Sequence, residues 1–242
     1  MNPTKIDYLD LTWNPYTGCN NWRLGICGGG GKDFRCWAMT QTIRFKKNYP
    51  NGFEPTFYPE RFLEPMKHKK PAIIGVSFMG DLFGGWPWAS FPESANLVET
   101  MDRVRLLILN QARACPRHTF VFLTKCPWNL PKWNPWPDNA WVGVSITSVE
   151  QLIDTITPMA QVEASVKFAS YEPLLERVPV KHIIGFLNWL IIGGQTGPGA
   201  KPPKPKWVQE IIDDADRAGV PVFLKDNLHW PESWQEWPKE KG

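Results

Sequence analysis

Cys19, Cys27 and Cys36 sit in a glycine-rich stretch, TGCNNWRLGICGGGGKDFRCWA, and are the residues of this chain best suited to chemistry. Seven residues separate the first pair and eight the second, looser than compact iron–sulfur motifs. The glycines Gly28 to Gly31 supply the backbone freedom to wrap such a loop around a cluster. Three thiolates on a four-iron cubane would leave one iron open to bind something else. Zinc is the rival reading. A structural zinc site wants four ligands and a close Cys pair, which is missing, while a three-ligand catalytic zinc remains open, as does a loop without metal. The histidines, His68, His118, His182 and His229, are all remote from the loop in sequence. Cys115 ends a helical pattern and Cys126 follows a strand, and both read as ordinary thiols.

Elements must position that loop. The 242 residues are enough for one or two domains with a substantial core. Apolar runs alternate with helical periodicity from residue 70 onward. Ala72–Phe78, Thr119–Leu123, Trp141–Ile146, Val166–Ser170, Trp189–Ile192 and Val220–Leu224 read as strands. Helices are expected over Pro92–Arg113, Val149–Met159 and Trp207–Ala218, the last stopped by Gly219. With Ile6–Asn14 as a first strand, this is an α/β chain of about seven parallel strands. A complete or partial (β/α) TIM-like barrel in a single domain is expected, with a doubly wound open sheet as the alternative. The barrel is expected over residues 1–228, and residues 229–242 form a Trp/Pro-rich C-terminal tail.

In a parallel barrel the residues just after each strand gather on one face, where active sites of that fold lie. Here those residues are Met79, Gly80 and Asp81, Thr124 and Lys125, Ser145 and Thr147, Tyr171 and Glu172, Gly193, Gly194 and Gln195, and Lys225 and Asp226, with the cysteine loop itself after the first strand. Lys125 and Lys225 could pair with a carboxylate or phosphate. Glu172 or Asp81 could accept hydrogen bonds from a ribose or an amino group. Gly193 and Gly194 either admit a ligand close to the backbone or make a tight turn. A metal-dependent hydrolase ranks last, because only His118 lies beside a strand and at the wrong end.

The motifs Thr12–Pro15 with Thr17-Gly18-Cys19, Cys36-Trp37-Ala38, Ser77–Phe83, His118–Phe120, Leu123–Lys125, Trp141–Ser145, Ser170–Leu175, Trp189–Gly199 and Phe223–Lys225 run in order over residues 6 to 228. Together they resemble a phage-associated, three-cysteine radical-SAM-like family of uncharacterised proteins. The resemblance implies a radical-SAM-type barrel, with Cys19, Cys27 and Cys36 holding a [4Fe-4S] cluster whose open iron binds S-adenosylmethionine. The other roles rest on the chemistry of the residues as much as on the resemblance: Lys125, Glu172 and Lys225 are expected as catalytic residues, and Asp81, Ser145, Gly193, Gly194 and Gln195 as cofactor-binding ones. One departure is visible: that family's loop ends in two cysteines two residues apart followed by Tyr-Ala, whereas here a GGGGKDF segment is inserted between Cys27 and Cys36, and Trp37 follows.

DNA or RNA is the expected partner class. The expectation rests on 14 Trp, several in Pro-rich loops, on the KPPKPK stretch from Lys201, and on likeness to DNA-lesion lyases of the same superfamily. The alternative for the Trp residues is that they pin long loops. The net charge of +3 allows an anionic partner without demanding one. A non-catalytic, metal-stabilised or electron-transfer nucleic-acid-binding protein is the competing function. No apolar run reaches membrane-spanning length and the first residues are polar, so a cytoplasmic setting without membrane association is expected.

Overall fold

The computed structural model describes residues 1–27, 36–84, 97–197 and 199–239. Its contacts divide the chain into two compact units, one of residues 1–126 with 137–140 and one of residues 127–136 with 141–242. Both are α/β, and their strands are mostly parallel.

In the first unit, β1 (Asn2–Pro3) pairs antiparallel with β2 (Leu11–Trp13). A second antiparallel ribbon joins β3 (Tyr16–Thr17) to β4 (Thr56–Phe57), with α1 (Trp37–Arg44) between them in sequence. After the single-turn α2 (Glu64–Lys67) come β5 (Ile73–Val76), α3 (Leu97–Arg113) and β6 (Thr119–Thr124). The strands lie in the order β1-β2-β5-β6, with β2, β5 and β6 parallel. Trp13 and Phe120, both fully buried, pack edge to face at 5.8 Å between ring centroids. Burying such a ring is worth about 2–3 kcal/mol.

The second unit contains most of β7 (Ala140–Ser145), then α4 (Val149–Gln161), β8 (Val166–Tyr171), β9 (Trp189–Ile192), α5 (Pro205–Ala218) and β10 (Val222–Leu224). The helices start and stop where their sequences dictate. Ser148 caps α4 by accepting from the Gln151 N–H at 3.3 Å, Pro205 opens α5, and Gly219 closes it in the left-handed region. Strand order is β7-β8-β9-β10, all parallel. Phe168 lies flat on Gly143, where an added Cβ would come within 2.4 Å of the ring.

Five of the expected strands start and end within two residues of their expected bounds, and Trp189–Ile192 coincides. The first strand is shorter than expected, since only Leu11–Trp13 of Ile6–Asn14 is extended and paired. The expected helix from Pro92 begins, among the described residues, at Leu97. Neither unit by itself is a closed barrel. The short, exposed β1 ends the first run beside β2, and the C-terminal tail covers the outer edge of β10. Leu224 N–H donates to Trp234 O at 2.7 Å and Glu236 N–H to Val222 O at 2.9 Å, around an antiparallel bridge between Phe223 and Gln235. Trp237 then stacks on Trp189 at 5.5 Å. A covered edge cannot template further pairing. No helix of the described residues is long and apolar enough to cross a membrane.

Candidate functional site

The residues after the first unit's strands converge on one carboxylate. Asp81 is 7% exposed and accepts four hydrogen bonds: from Asn21 Nδ2 (2.8 Å), Thr124 Oγ1 (2.7 Å), the Lys125 N–H (2.9 Å) and the Phe83 N–H (3.0 Å). Asn21 carries the network on to the cysteines. Its N–H donates to Cys19 Sγ at 3.3 Å, and its side-chain oxygen accepts from Cys126 Sγ at 3.4 Å.

Two loops must approach closely for this to form, and glycine permits it. Gly18 bridges Gly80, and a Cβ on Gly80 would fall 2.2 Å from the Gly18 carbonyl oxygen. A Cβ on Gly18, at φ +80°, would strike the Glu54 carbonyl at 2.4 Å. Only glycine fits either place. The TGC and SFMGD motifs are thus two loops packed backbone to backbone. Ser77 opens the second in the left-handed region at φ 57°, an uncommon conformation for a non-glycine residue.

The electrostatics of this pocket are those of crowded acids. Burial pushes the Cys19 thiol well above its ordinary range, and nearby Asp81, Cys27 and Cys36 push it further, against the lowering effect of the Asn21 N–H. Cys126 is raised by burial, then by Asp81, Cys19 and Cys27. Tyr16 is raised by burial and by the same Cys19, Asp81 and Cys126. Such mutual discouragement of negative charge is relieved by a bound cation, which inverts the local acid–base logic. Cys36, at the N-cap of α1, and Cys27 are half-buried, while Cys19 is nearly closed off.

The donor set suits a thiolate-bound cluster in kind: three cysteines on one loop, one of them with an N–H···S hydrogen bond of the sort that tunes iron–sulfur centres. As placed, no three His, Cys, Asp or Glu side chains among the described residues stand close enough to hold one ion. The segment 28–35 between two of the ligand candidates lies outside those residues.

The second unit builds its own strand-end cluster. Glu172, Gly193 and Lys225 follow three neighbouring strands, and the ladder brings them abreast: Gly193 N–H donates to Tyr171 O, and Lys225 N–H to Ile192 O at 2.9 Å. The Lys225 ammonium pairs with the Glu172 carboxylate, their side chains 12% and 23% exposed. Gly193 is glycine because Glu172 fills the space, with its Cγ 2.9 Å from where a Cβ would sit. Ser145 Oγ donates to Glu172 O at 3.1 Å. Gly194 is clasped by the Asn227 amide, which accepts from its N–H at 3.0 Å and donates to its carbonyl at 2.9 Å. Gln195 Oε1 accepts from the Lys201 N–H at 3.3 Å.

The expected site residues therefore fall into two groups. Asp81 and the three loop cysteines lie in the first unit, where Lys125 enters through its backbone N–H. Ser145, Glu172, Gly193, Gly194 and Lys225 form the second group, with Gln195 at its margin. Sequence reasoning missed Asn21 and Asn227, gave Thr124 a strand-end place but no role, and left Cys126 an ordinary thiol. Thr124 ends β6 and Cys126 follows two residues later, so their position was a signal, whereas nothing in the sequence marked Asn21. His118 is a core histidine: fully buried, its Nε2 lies 3.2 Å from Pro65 O and 3.1 Å from His68 O.

The family model described as "Protein of unknown function (DUF5131)" matches residues 3–242. The chain belongs to this family. Neither a curated protein nor a solved structure matches it. The DUF5131 match spans both strand-end clusters and the cysteine loop.

Proposed function

We propose that this protein is a cytoplasmic, radical-SAM-like iron–sulfur enzyme acting on nucleic acid, its strands belonging to a partial (β/α) barrel. Cys19, Cys27 and Cys36 would hold a [4Fe-4S] cluster. The observation carrying this reading is the buried Cys19, hydrogen-bonded by Asn21 and crowded by Asp81, Cys27 and Cys36. When bound, the cluster supplies one-electron chemistry toward S-adenosylmethionine. The chain's own residues do the rest. Asp81 holds Asn21 and the start of the loop after β6, so that the Cys19 sulfur keeps its N–H donor. Glu172 and Lys225 offer adjacent opposite charges to a ligand bearing amino, carboxylate or phosphate groups. Ser145 and Asn227 hold the backbone around that pair.

Cys126 supports a second reading. This fourth thiol, buried and linked to Cys19 through Asn21, suits a closed four-thiolate centre in an electron-transfer or metal-stabilised nucleic-acid-binding protein. Anaerobic purification with iron and sulfide analysis, and electron paramagnetic resonance of the reduced protein with and without S-adenosylmethionine, separates the two. About four irons per chain and a spectrum changed by the cofactor are expected. Four irons with an unchanged spectrum, restored to responsiveness by Cys126→Ala, would favour the closed centre. Zinc or no metal would overturn the iron reading.

A further inference from the structure

The chain's positive charge is concentrated around the cysteine loop. Residues 11–53 carry six basic side chains and a single acid, Asp33, although the whole chain has a net charge of only +3. Outside that stretch the chain is slightly acidic. Part of this charge lies on α1 and the turn after it. Ile43, Arg44, Phe45, Lys46, Lys47 and Asn48 form an unbroken exposed run. Among the described residues no carboxylate pairs with Arg44, Lys46 or Lys47. Large apolar groups stand out beside these cations: Trp37 is 56% exposed and Phe45 44%. The Arg44 guanidinium lies 5.2 Å from the centre of the Phe45 ring.

Trp37 and Arg44 are seven residues apart, two turns along α1, and so share one helix face about 10 Å apart. The opposite face buries Ala38 and Thr42. This juxtaposition of open rings with unpaired cations is the chemistry that holds a single strand: phosphates meet the cations and unstacked bases cover the rings. A membrane surface fits less well, because the exposed apolar side chains alternate with cations and leave no continuous apolar face to sink among acyl chains. Four other Trp residues are closed to stacking. Trp13 and Trp189 are core, and Trp133 and Trp136 are buried against each other at 5.6 Å.

We infer that the α1 surface formed by Trp37, Arg44, Phe45, Lys46 and Lys47 binds single-stranded nucleic acid and leads it to the cysteine loop, which Trp37 directly follows. This deepens the nucleic-acid part of the proposed function and does not depend on the cluster.

The test measures binding of a fluorescein-labelled 20-nucleotide oligothymidylate to the full chain, iron-loaded and iron-free, over a salt series. In the Arg44→Gln/Lys46→Gln/Lys47→Gln variant the slope of log affinity against log salt should shrink by about 2, from about 0.7 per lost phosphate contact. Trp37→Ala should weaken binding about five-fold or more at fixed salt. All four residues are exposed, so circular dichroism and melting should match the unaltered chain. A Lys201→Gln/Lys204→Gln/Lys206→Gln variant is the comparator and should bind as the unaltered chain does. The inference is overturned if the oligonucleotide does not bind, if the comparator alone loses binding, or if the α1 variants bind it undiminished. It is also overturned if those variants lose only attachment to phosphatidylserine vesicles. Absence of iron with oligonucleotide binding intact would sink the enzyme reading and leave this surface standing.

Discussion

Replacing Asp81 by Asn changes one oxygen for an NH2 and almost no volume, so the outcome is set by hydrogen bonding. One carboxylate oxygen accepts from Thr124 Oγ1 and the Phe83 N–H, and an amide oxygen turned that way keeps both bonds. The other oxygen accepts from Asn21 Nδ2 at 2.8 Å and the Lys125 N–H at 2.9 Å. An NH2 there faces two donors with two donors. Each hydrogen bond to a charged acceptor is worth about 1.5–3 kcal/mol, and the loops can relax somewhat, so the expected loss is about 3 kcal/mol. For a chain of this size that corresponds to a melting temperature lower by roughly 6–12 °C. Urea unfolding followed by Trp fluorescence should show the midpoint falling with an unchanged slope. The freed Asn21 should also loosen its N–H from Cys19, so on the proposed iron–sulfur reading the iron retained after anaerobic purification should drop. A variant that melts within about 2 °C of the unaltered chain would refute the assignment of Asp81 as the anchor of this pocket.

Other changes test the remaining geometry. Gly80→Ala places a methyl group 2.2 Å from the Gly18 carbonyl oxygen, so soluble yield should collapse, with a cost of about 3 kcal/mol or more. Normal expression and melting would show that the two loops are not in contact. Lys225→Met strands the Glu172 carboxylate beside Gly193. Since both side chains are partly screened by solvent, urea unfolding should register about 1–2 kcal/mol, and no change would mean that the pair is ornamental. Burial lowers the affinity of His118 for protons, against the raising effect of the Pro65 carbonyl. The unfolded chain therefore binds its proton first as pH falls below about 6.5, and stability drops through that window toward the lower folded value. His118→Gln, which keeps a donor for the Pro65 and His68 carbonyls, should flatten that part of the pH dependence of the urea midpoint. An unchanged profile would assign it to other groups.

The strands of both units were legible because their apolar runs are short, β-branched or aromatic, and bounded by turn residues. The sequence hid α1 because only Ala38 and Thr42 of its eight residues face inward, too few to print a period. It hid β1 because a two-residue strand carries no alternation. The tail from His229 showed no period either. It holds as an edge cover through backbone hydrogen bonds and the Trp237–Trp189 stack, and backbone bonds leave no mark in residue type.

Local chemistry was in the sequence: which stretches extend, which coil, where three thiols share a loop, and which polar groups follow each strand. Which of those groups meet was decided only in three dimensions. Asn21 lies 60 residues from Asp81 and 105 from Cys126, and Glu172 lies 53 from Lys225. At such separations periodicity carries no information. The partners are chosen by strand order, by the bare backbones of Gly18 and Gly80, and by the cost of leaving any buried donor or carboxylate unanswered.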